Sequence, residues 1–273
     1  MPLLVCATPI GNLEDVTLRV LDALRRADVV LCEDTRRTKV LLDRHEIRAR
    51  SLLSVHRHNE ARQARELVRR LAAGDTLALV SDAGLPGVND PGGRLVSAAV
   101  GAGVAVSVLP GPSAVETALV ASTLGVAEYR FLGYLPRRAA ELQALWDDSL
   151  AWRYAAVAFE SPKRLPTSLA ALARIDPERP VAVCRELTKR FEEVLRGTAA
   201  EVQTRFAAPP KGEITLVVAP GAGAQGRPLD DAVSAVRELV GAGAARRPAA
   251  EVVARLVDLP RNELYRRSLA APD

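Results

Sequence analysis

Lysine is nearly absent from this chain of 273 residues, with only Lys39, Lys163, Lys189 and Lys211. Part of the arginine wealth therefore reflects compositional bias, and arginine alone is weak evidence of a polyanion partner. Cysteine is scarce and odd in number. Cys6, Cys32 and Cys184 lie far apart in apolar runs without a CxxC pair, which argues against a disulfide framework and for inert buried thiols in a reducing compartment. The three histidines are not placed with these cysteines, so no metal site is expected. No stretch reaches the ~18 uninterrupted apolar residues of a membrane span. Met1-Pro2-Leu3-Leu4-Val5 enters an apolar strand without a basic leader, so a cytoplasmic protein with no membrane partner is expected.

Several familiar motifs are missing too. The turn Ala7-Thr8-Pro9-Ile10-Gly11-Asn12 has one glycine and a proline, not the G-x-G-x-x-G that brings a pyrophosphate against a helix start. Gly101-Ala102-Gly103 precedes a strand and so reads as a helix stop. There is no Walker A sequence. Ser113 lies in no nucleophile elbow and no histidine follows it, which removes the Ser…Asp…His order of α/β hydrolases.

What is present is an ordinary globular composition, 48% hydrophobic and 26% charged, in a chain long enough for two domains. Apolar runs at Leu3 to Ala7, Asp28 to Cys32, Leu52 to Val55, Thr76 to Val80 and Val104 to Leu109 read as strands. Helical patterns separate them: one capped by Asp15 or Thr17, then Lys39 to Arg44, Glu60 to Ala73 and Arg94 to Val100. Such alternation predicts right-handed crossovers and a mostly parallel sheet. Four loops following strands then gather at one sheet edge: Thr8 to Asn12, the polar turn Glu33 to Arg36, Ser81 to Gly92, and Pro110 to Ala114. One Gly/Pro/acid cluster is usually a solvated turn, but four at one edge describe a binding cleft. The carboxylates of Ser81 to Gly92 would repel a phosphate and suit hydroxyls, amines or a cation.

Beyond Thr123 the character changes. Arg130 to Leu135, Tyr154 to Phe159, Val181 to Cys184, Glu193 to Arg196 and Ile214 to Ala219 are strand candidates with only two or three helices between them, so a mixed sheet is expected. Pro220 to Gly226 reads as a flexible linker, followed by a small helical appendage whose last two helices resemble a helix-turn-helix pair. The expected organisation is an α/β lobe over residues 1–112, a second over 113–219, a linker over 220–228 and the appendage over 229–273. From Leu229 to Asp273 seven arginines meet seven acids, so the appendage is read as a packing or assembly element rather than an RNA contact. The window from Arg36 to Arg70 is different, with eleven Lys/Arg against four acids and a net +7 where the whole chain has +4. Such a window reads as a polyanion-facing patch at the mouth of the cleft, or, more plainly, as a solvated helix face.

A cofactor with an adenosine, an amino-acid end and a positive sulfonium suits a cleft of carboxylate and carbonyl acceptors. At this point the motifs carry a resemblance. Ala7-Thr8-Pro9-Ile10-Gly11-Asn12-Leu13, Glu33-Asp34-Thr35-Arg36, Ser81-Asp82-Ala83-Gly84, Asn89-Asp90-Pro91-Gly92, Pro110-Gly111-Pro112-Ser113-Ala114, Glu160-Ser161-Pro162, Arg185-Glu186-Leu187-Thr188-Lys189 and Lys211-Gly212-Glu213 resemble the bacterial family of small-subunit ribosomal RNA cytidine 2′-O-methyltransferases. That family sits within the tetrapyrrole-methylase superfamily of S-adenosylmethionine enzymes. The match runs in order from Leu3 to about Ala219, and the helical tail is similar to the family's C-terminal domain more weakly.

The resemblance implies two α/β lobes with S-adenosylmethionine folded between them, a homodimer, and methylation of a cytidine ribose in the decoding region of assembled small subunits. Cofactor contacts are implied for Pro9 and Gly11 in the first turn, Asp82, Ala83, Gly84 and Leu85, and Ser113 and Ala114. Phe159, Leu187 and Gly212 would close over the adenosine from the second lobe. Leu85 stands where threonine is usual and Gly93 where an aromatic is usual, and main-chain contacts survive both changes. Alignment of donor and acceptor can supply roughly 7 kcal/mol or more of barrier reduction. A free 2′-hydroxyl is a poor nucleophile, so an acceptor for its proton is expected. Candidates are Glu33 and Asp34, with Glu160, Glu186 and Lys189 from the facing lobe, and the plainer role for each carboxylate is a salt bridge or helix cap. Arg36 would hold a phosphate, with Arg37, Lys39 and Arg57 as further RNA contacts. Two other readings stay open: a sister methylase acting on a tetrapyrrole or a protein side chain, and a non-catalytic RNA-binding assembly factor.

Overall fold

A parallel sheet covered on both faces needs strands that are apolar at every position, and the first half of the chain supplies them. The computed structural model describes residues 2–56, 59–124, 128–221, 228–257 and 259–269. In chain order the first half contains β1 (Leu3–Cys6), α1 (Leu18–Arg26), β2 (Val29–Cys32), α2 (Thr35–Arg44), β3 (Leu52–Ser54), α3 (Glu60–Ala72), β4 (Leu77–Val80), α4 (Gly93–Gly101) and β5 (Val106–Leu109). The strands form one sheet in the order β3-β2-β4-β1-β5, every pairing parallel. Alternate side chains point to opposite faces. Leu3, Val5, Leu31, Leu77 and Leu79 pack against α3 and α4, while Cys6, Val30, Cys32, Ala78 and Val80 pack against α1 and α2.

Thr17, rather than Asp15, caps α1, its side chain accepting from the Val20 N–H. The polar turn expected over Glu33 to Arg36 is shorter than anticipated. Asp34 accepts from the Arg36 N–H as an N-cap, and Thr35 and Arg36 already form the first turn of α2. Capping by a short acid outweighs the lack of apolar periodicity there.

Helix α5 (Ala114–Ser122) leads into β6 (Tyr129–Tyr134), α6 (Ala139–Ser149), β7 (Ala155–Glu160), α7 (Leu165–Ile175), β8 (Pro180–Arg185), β9 (Glu193–Thr198), α8 (Ala199–Arg205) and β10 (Ile214–Val218). Their sheet is mixed, in the order β6-β7-β10-β8-β9, with β6 and β7 parallel and the other pairs antiparallel. Period two again sorts the faces. Ile214, Leu216 and Val218 meet Trp146, Leu165, Leu169 and Leu172 from the helices, while Val157, Ala182 and Val217 meet α5. Ile10, from the turn after β1, enters this second cluster, so the two halves share apolar contact.

Of the expected linker, 222–227 lies outside the described residues. Its start is fixed, because the Gly221 N–H donates to the Trp152 carbonyl at 2.9 Å and a Cβ on Gly221 would collide with the Leu150 carbonyl. The last helices, α9 (Pro228–Gly241), α10 (Arg246–Val257) and α11 (Arg261–Leu269), bury a small core of their own around Val236, Ala250, Val253 and Leu264. No helix among the described residues is long and apolar enough to cross a membrane.

Candidate active site

The loops at the carboxyl edge of the parallel sheet are tied to one another by main-chain bonds. The Thr8 N–H donates to the Gly84 carbonyl at 2.8 Å and the Gly84 N–H returns to Thr8 at 3.0 Å. The Thr8 hydroxyl donates to the Ser81 carbonyl at 3.0 Å, and the Ser81 hydroxyl to that of Gly84 at 3.0 Å. Gly84 sits at φ +76°, a left-handed conformation that glycine adopts without penalty. Gly111 passes so close to β1 that a Cβ there would lie 2.9 Å from the Ala7 Cβ. These loops form one wall of a cleft of about 800 Å³ between the two sheets, within the size range of small-molecule sites.

The facing wall comes from the mixed sheet. Phe131 and Tyr134 on β6 stand edge-on to Phe159 on β7, with ring centroids 5.1 and 5.7 Å apart. Cys184, Leu187, Gly212 and Thr215 continue that wall. The walls also touch directly. The Asn12 N–H donates to the Thr188 hydroxyl at 2.9 Å, and a Cβ on Gly11 would lie 2.6 Å from the Leu187 carbonyl. Glu186 and Thr188 hold φ of 53° and 62°, strained values for residues with a Cβ.

Among the described residues six acidic residues line the cleft, Glu33, Asp82, Asp90, Glu116, Glu160 and Glu213, against one arginine, Arg37. This balance disfavours a phosphate and fits a ligand with a cationic end and hydroxyls. Asp82 accepts from the Asp34 N–H at 3.2 Å and pairs with Arg37 at 3.5 Å. Glu116 accepts from the Ser113 hydroxyl and from the Tyr129 phenol, the latter at 2.8 Å. The Ser113 bond, with Tyr129 helping against desolvation, holds the Glu116 carboxyl below its usual range. The shared bond raises the Tyr129 phenol above its usual value. Burial pushes the Cys184 thiol up to about 11 and the Cys6 thiol up to about 12.

Asp82, Ala83, Gly84, Leu85, Ser113, Ala114, Phe159, Leu187 and Gly212 all line the cleft. Pro9 is buried and neither it nor Gly11 is among the lining residues, where Ile10 stands instead. Gly11 lets the first turn approach the second lobe. Asn89 and Asp90 also line the cleft, beyond the scaffolding role that a turn of their composition suggests.

The candidate proton acceptors separate clearly. Asp34 is bound to Arg36 in a two-point contact of 2.9 and 3.2 Å, and Arg36 holds its carboxyl at about 2. Glu160 lines the cleft through its backbone position, but its side chain is fully buried, accepting from Ser168 at 2.5 Å and the Ser161 N–H at 2.7 Å. Glu186 accepts from the Glu213 N–H at 2.8 Å and from Lys189 at 2.9 Å, and Lys189 also reaches Glu213 at 2.8 Å. Glu186 and Lys189 thus pin the Gly212 turn and do not line the cleft. Glu33 does line it, and its carboxylate has no hydrogen bond or ion pair among the described residues.

The basic window is not one patch. Helix α2 packs on one face of the parallel sheet and α3 on the other, which divides the charge. Arg36, Arg37, Arg44, Arg50, Arg69 and Arg70 are in ion pairs, and Lys39, Arg48, Arg62 and Arg65 are in none among the described residues. Arg57 lies outside them. Of the described basic residues of this window only Arg37 reaches the cleft, with exposed Arg36 and Lys39 beside it on α2.

Tyr129, Phe131, Tyr134 and Glu116 were not legible as site residues. For the three aromatics the only signal is the alternation of β6, which does not say which face meets a cleft, and Glu116 reads simply as a polar residue in the first turn of α5.

Two sheets joined across a carboxylate-rich cleft define the class, and residues 2–203 match the tetrapyrrole (corrin/porphyrin) methylase family. Among solved structures, uroporphyrin-III C-methyltransferase from Thermus thermophilus, complexed with S-adenosyl homocysteine, has the same fold, with a TM-score of 0.58 at 17% identity over 82% of this chain and 98% of that one. The ribosomal RNA small subunit methyltransferase I of Mesorhizobium japonicum is 41% identical over 99% of this chain and 92% of its own length. That of Halalkalibacterium halodurans is 44% identical over 79% and 75%. The chain belongs to the tetrapyrrole methylase family, in the branch of the ribosomal RNA small subunit methyltransferase I proteins.

Proposed function

We propose that the protein transfers a methyl group from S-adenosylmethionine to small-subunit ribosomal RNA, and that the acceptor is the ribose 2′-hydroxyl of a cytidine in the decoding region of the assembled subunit. The relatives' shared name supports the RNA substrate. The single observation that carries the cofactor is the cleft's acidity: among the described residues five acidic residues besides the buried Glu160 line it against one arginine, which matches a ligand with a sulfonium and an ammonium. When bound, S-adenosylmethionine supplies an electrophilic methyl group.

The chain's own residues do the rest. Asp82 and Glu116 offer anionic acceptors to the cationic and hydroxyl groups of the cofactor. Phe131 and Phe159 form an apolar wall that excludes water, which strengthens electrostatic contacts inside the cleft. The Gly84 and Gly212 turns bring main-chain groups to the ligand, and Arg37 with Arg36 and Lys39 offers cations to the RNA strand. A homodimer working in the cytoplasm is the assembly and compartment we propose, on the family resemblance and on three buried free thiols.

The test is incubation with methyl-labelled S-adenosylmethionine and small subunits lacking the modification. Label on a cytidine ribose is the expected result. Binding without transfer would favour an assembly factor, and label only on a tetrapyrrole would favour a sister methylase.

A further inference from the structure

We propose that Glu33 is the catalytic residue that takes the proton of the attacking ribose hydroxyl. The inference rests on the methyltransferase reading above and deepens it. Of the six acidic residues lining the cleft, five have engaged carboxylates. Asp82 meets Arg37 and a main-chain N–H, Glu116 meets Ser113 and Tyr129, and Glu160 is buried on Ser168 and Ser161. Glu213 meets Lys189, and Asp90 is not free either. Glu33 alone lines the cleft with an unpartnered carboxylate among the described residues.

Its backbone is held on both sides. The carbonyl of the Glu33–Asp34 peptide accepts from the Ser54 hydroxyl at 2.9 Å, and the N–H of the same peptide donates to Asp82 at 3.2 Å. The peptide is fixed between two neighbouring strand ends, and the half-buried residue lines the cleft. Glu33 also stands immediately before α2, whose exposed Arg36, Arg37 and Lys39 would hold the phosphates flanking a ribose. A base must lie within hydrogen-bond reach of the proton it removes, and Glu33 lies between the cofactor wall and that basic turn.

In the step itself the ribose O–H bond breaks and its proton passes to a Glu33 oxygen. The 2′-oxygen forms the new bond to the methyl carbon as the carbon–sulfur bond breaks, and that electron pair stays on sulfur. One positive charge is lost from sulfur and one proton is gained by the carboxylate, so charge balances without a metal or a redox partner.

The experiment measures single-turnover methylation together with S-adenosylmethionine and small-subunit dissociation constants for wild type, Glu33→Gln and Glu33→Ala. Wild-type transfer is measured first, since its absence sinks the methyltransferase reading itself. Both variants are expected to bind cofactor and subunit within about twofold of wild type and to lose roughly a hundredfold or more in rate. Added formate is expected to restore part of the Glu33→Ala rate in a concentration-dependent way, which a purely structural carboxylate would not allow. A Glu33→Gln rate within about fivefold of wild type, a loss of rate matched by a loss of binding, or an absence of formate rescue would each overturn the assignment.

Discussion

Arg37, in the first turn of α2 after β2, and Asp82, in the loop after the neighbouring strand β4, bring their charged groups to 3.5 Å on the wall of the cleft. The carboxylate proposed to face the cofactor therefore also holds the cation proposed to lie nearest the RNA. Asp82→Ala is expected to abolish cofactor binding, and calorimetric affinity within about twofold of wild type would remove Asp82 from the site. Arg37→Gln takes away a cation competing for Asp82. The Arg37 side chain is 62% exposed, so the gain is small, an up to roughly fivefold tighter cofactor constant, accompanied by weaker subunit binding. A cofactor constant that weakens instead would mean that Arg37 supports the ligand directly.

Arg36 and Lys39 lie outside that contact. The Arg36→Gln, Lys39→Gln double variant should weaken subunit binding and flatten its dependence on salt by roughly one to two units of log–log slope. Its cofactor affinity should not change. Equal slopes for variant and wild type would show that the RNA approaches from elsewhere.

Glu60 is buried at the start of α3, and one of its oxygens accepts from the Gly92, Arg94 and Leu95 N–H groups at 3.1, 2.8 and 3.0 Å. It caps α4 from another helix. Glu60→Ala leaves buried donors without a partner, and a stability loss of roughly 2–4 kcal/mol is expected in urea unfolding. Gly92→Ala attacks the same junction from the backbone. Gly92 sits at φ +125°, and a Cβ there would lie 2.8 Å from Leu79 Cδ2, so a loss above about 1 kcal/mol follows. A neutral Glu60→Ala would refute the cap.

Tyr129 and Glu116 give a spectroscopic handle on the cleft. The phenol donates to a carboxylate, and ionising it would place two anions side by side, so its proton leaves later than usual. An ultraviolet difference titration should show Tyr129 ionising above the usual tyrosine value. Glu116→Gln should bring that titration down, because the anion opposing it is gone; an unmoved curve would show that the bond does not persist in solution.

The parallel lobe was legible because its buried strands are unbroken apolar runs, such as Val29 to Cys32 and Leu77 to Val80, bounded by Gly, Pro and Asp. The cleft was legible as loops, since composition marks strand-end turns well. Roles within it were not. Glu186 and Lys189 look reactive in a row of charges, yet their partner is Glu213, 27 and 24 residues away. Glu60 reads as the first residue of an amphipathic helix, and its real work is a cap on a helix more than thirty residues on. The basic window misled in a similar way, because sequence distance does not say that α2 and α3 are divided by a sheet.

That cap has a consequence for how the protein can be altered. Glu60 belongs to the basic stretch of the chain, and Gly92 closes the loop that lines the cleft. A graft that swaps the stretch from α2 to α3 for that of another methylase would remove the anchor of the loop wall with it. That stretch therefore cannot be moved between relatives as a cassette unless a carboxylate returns at position 60.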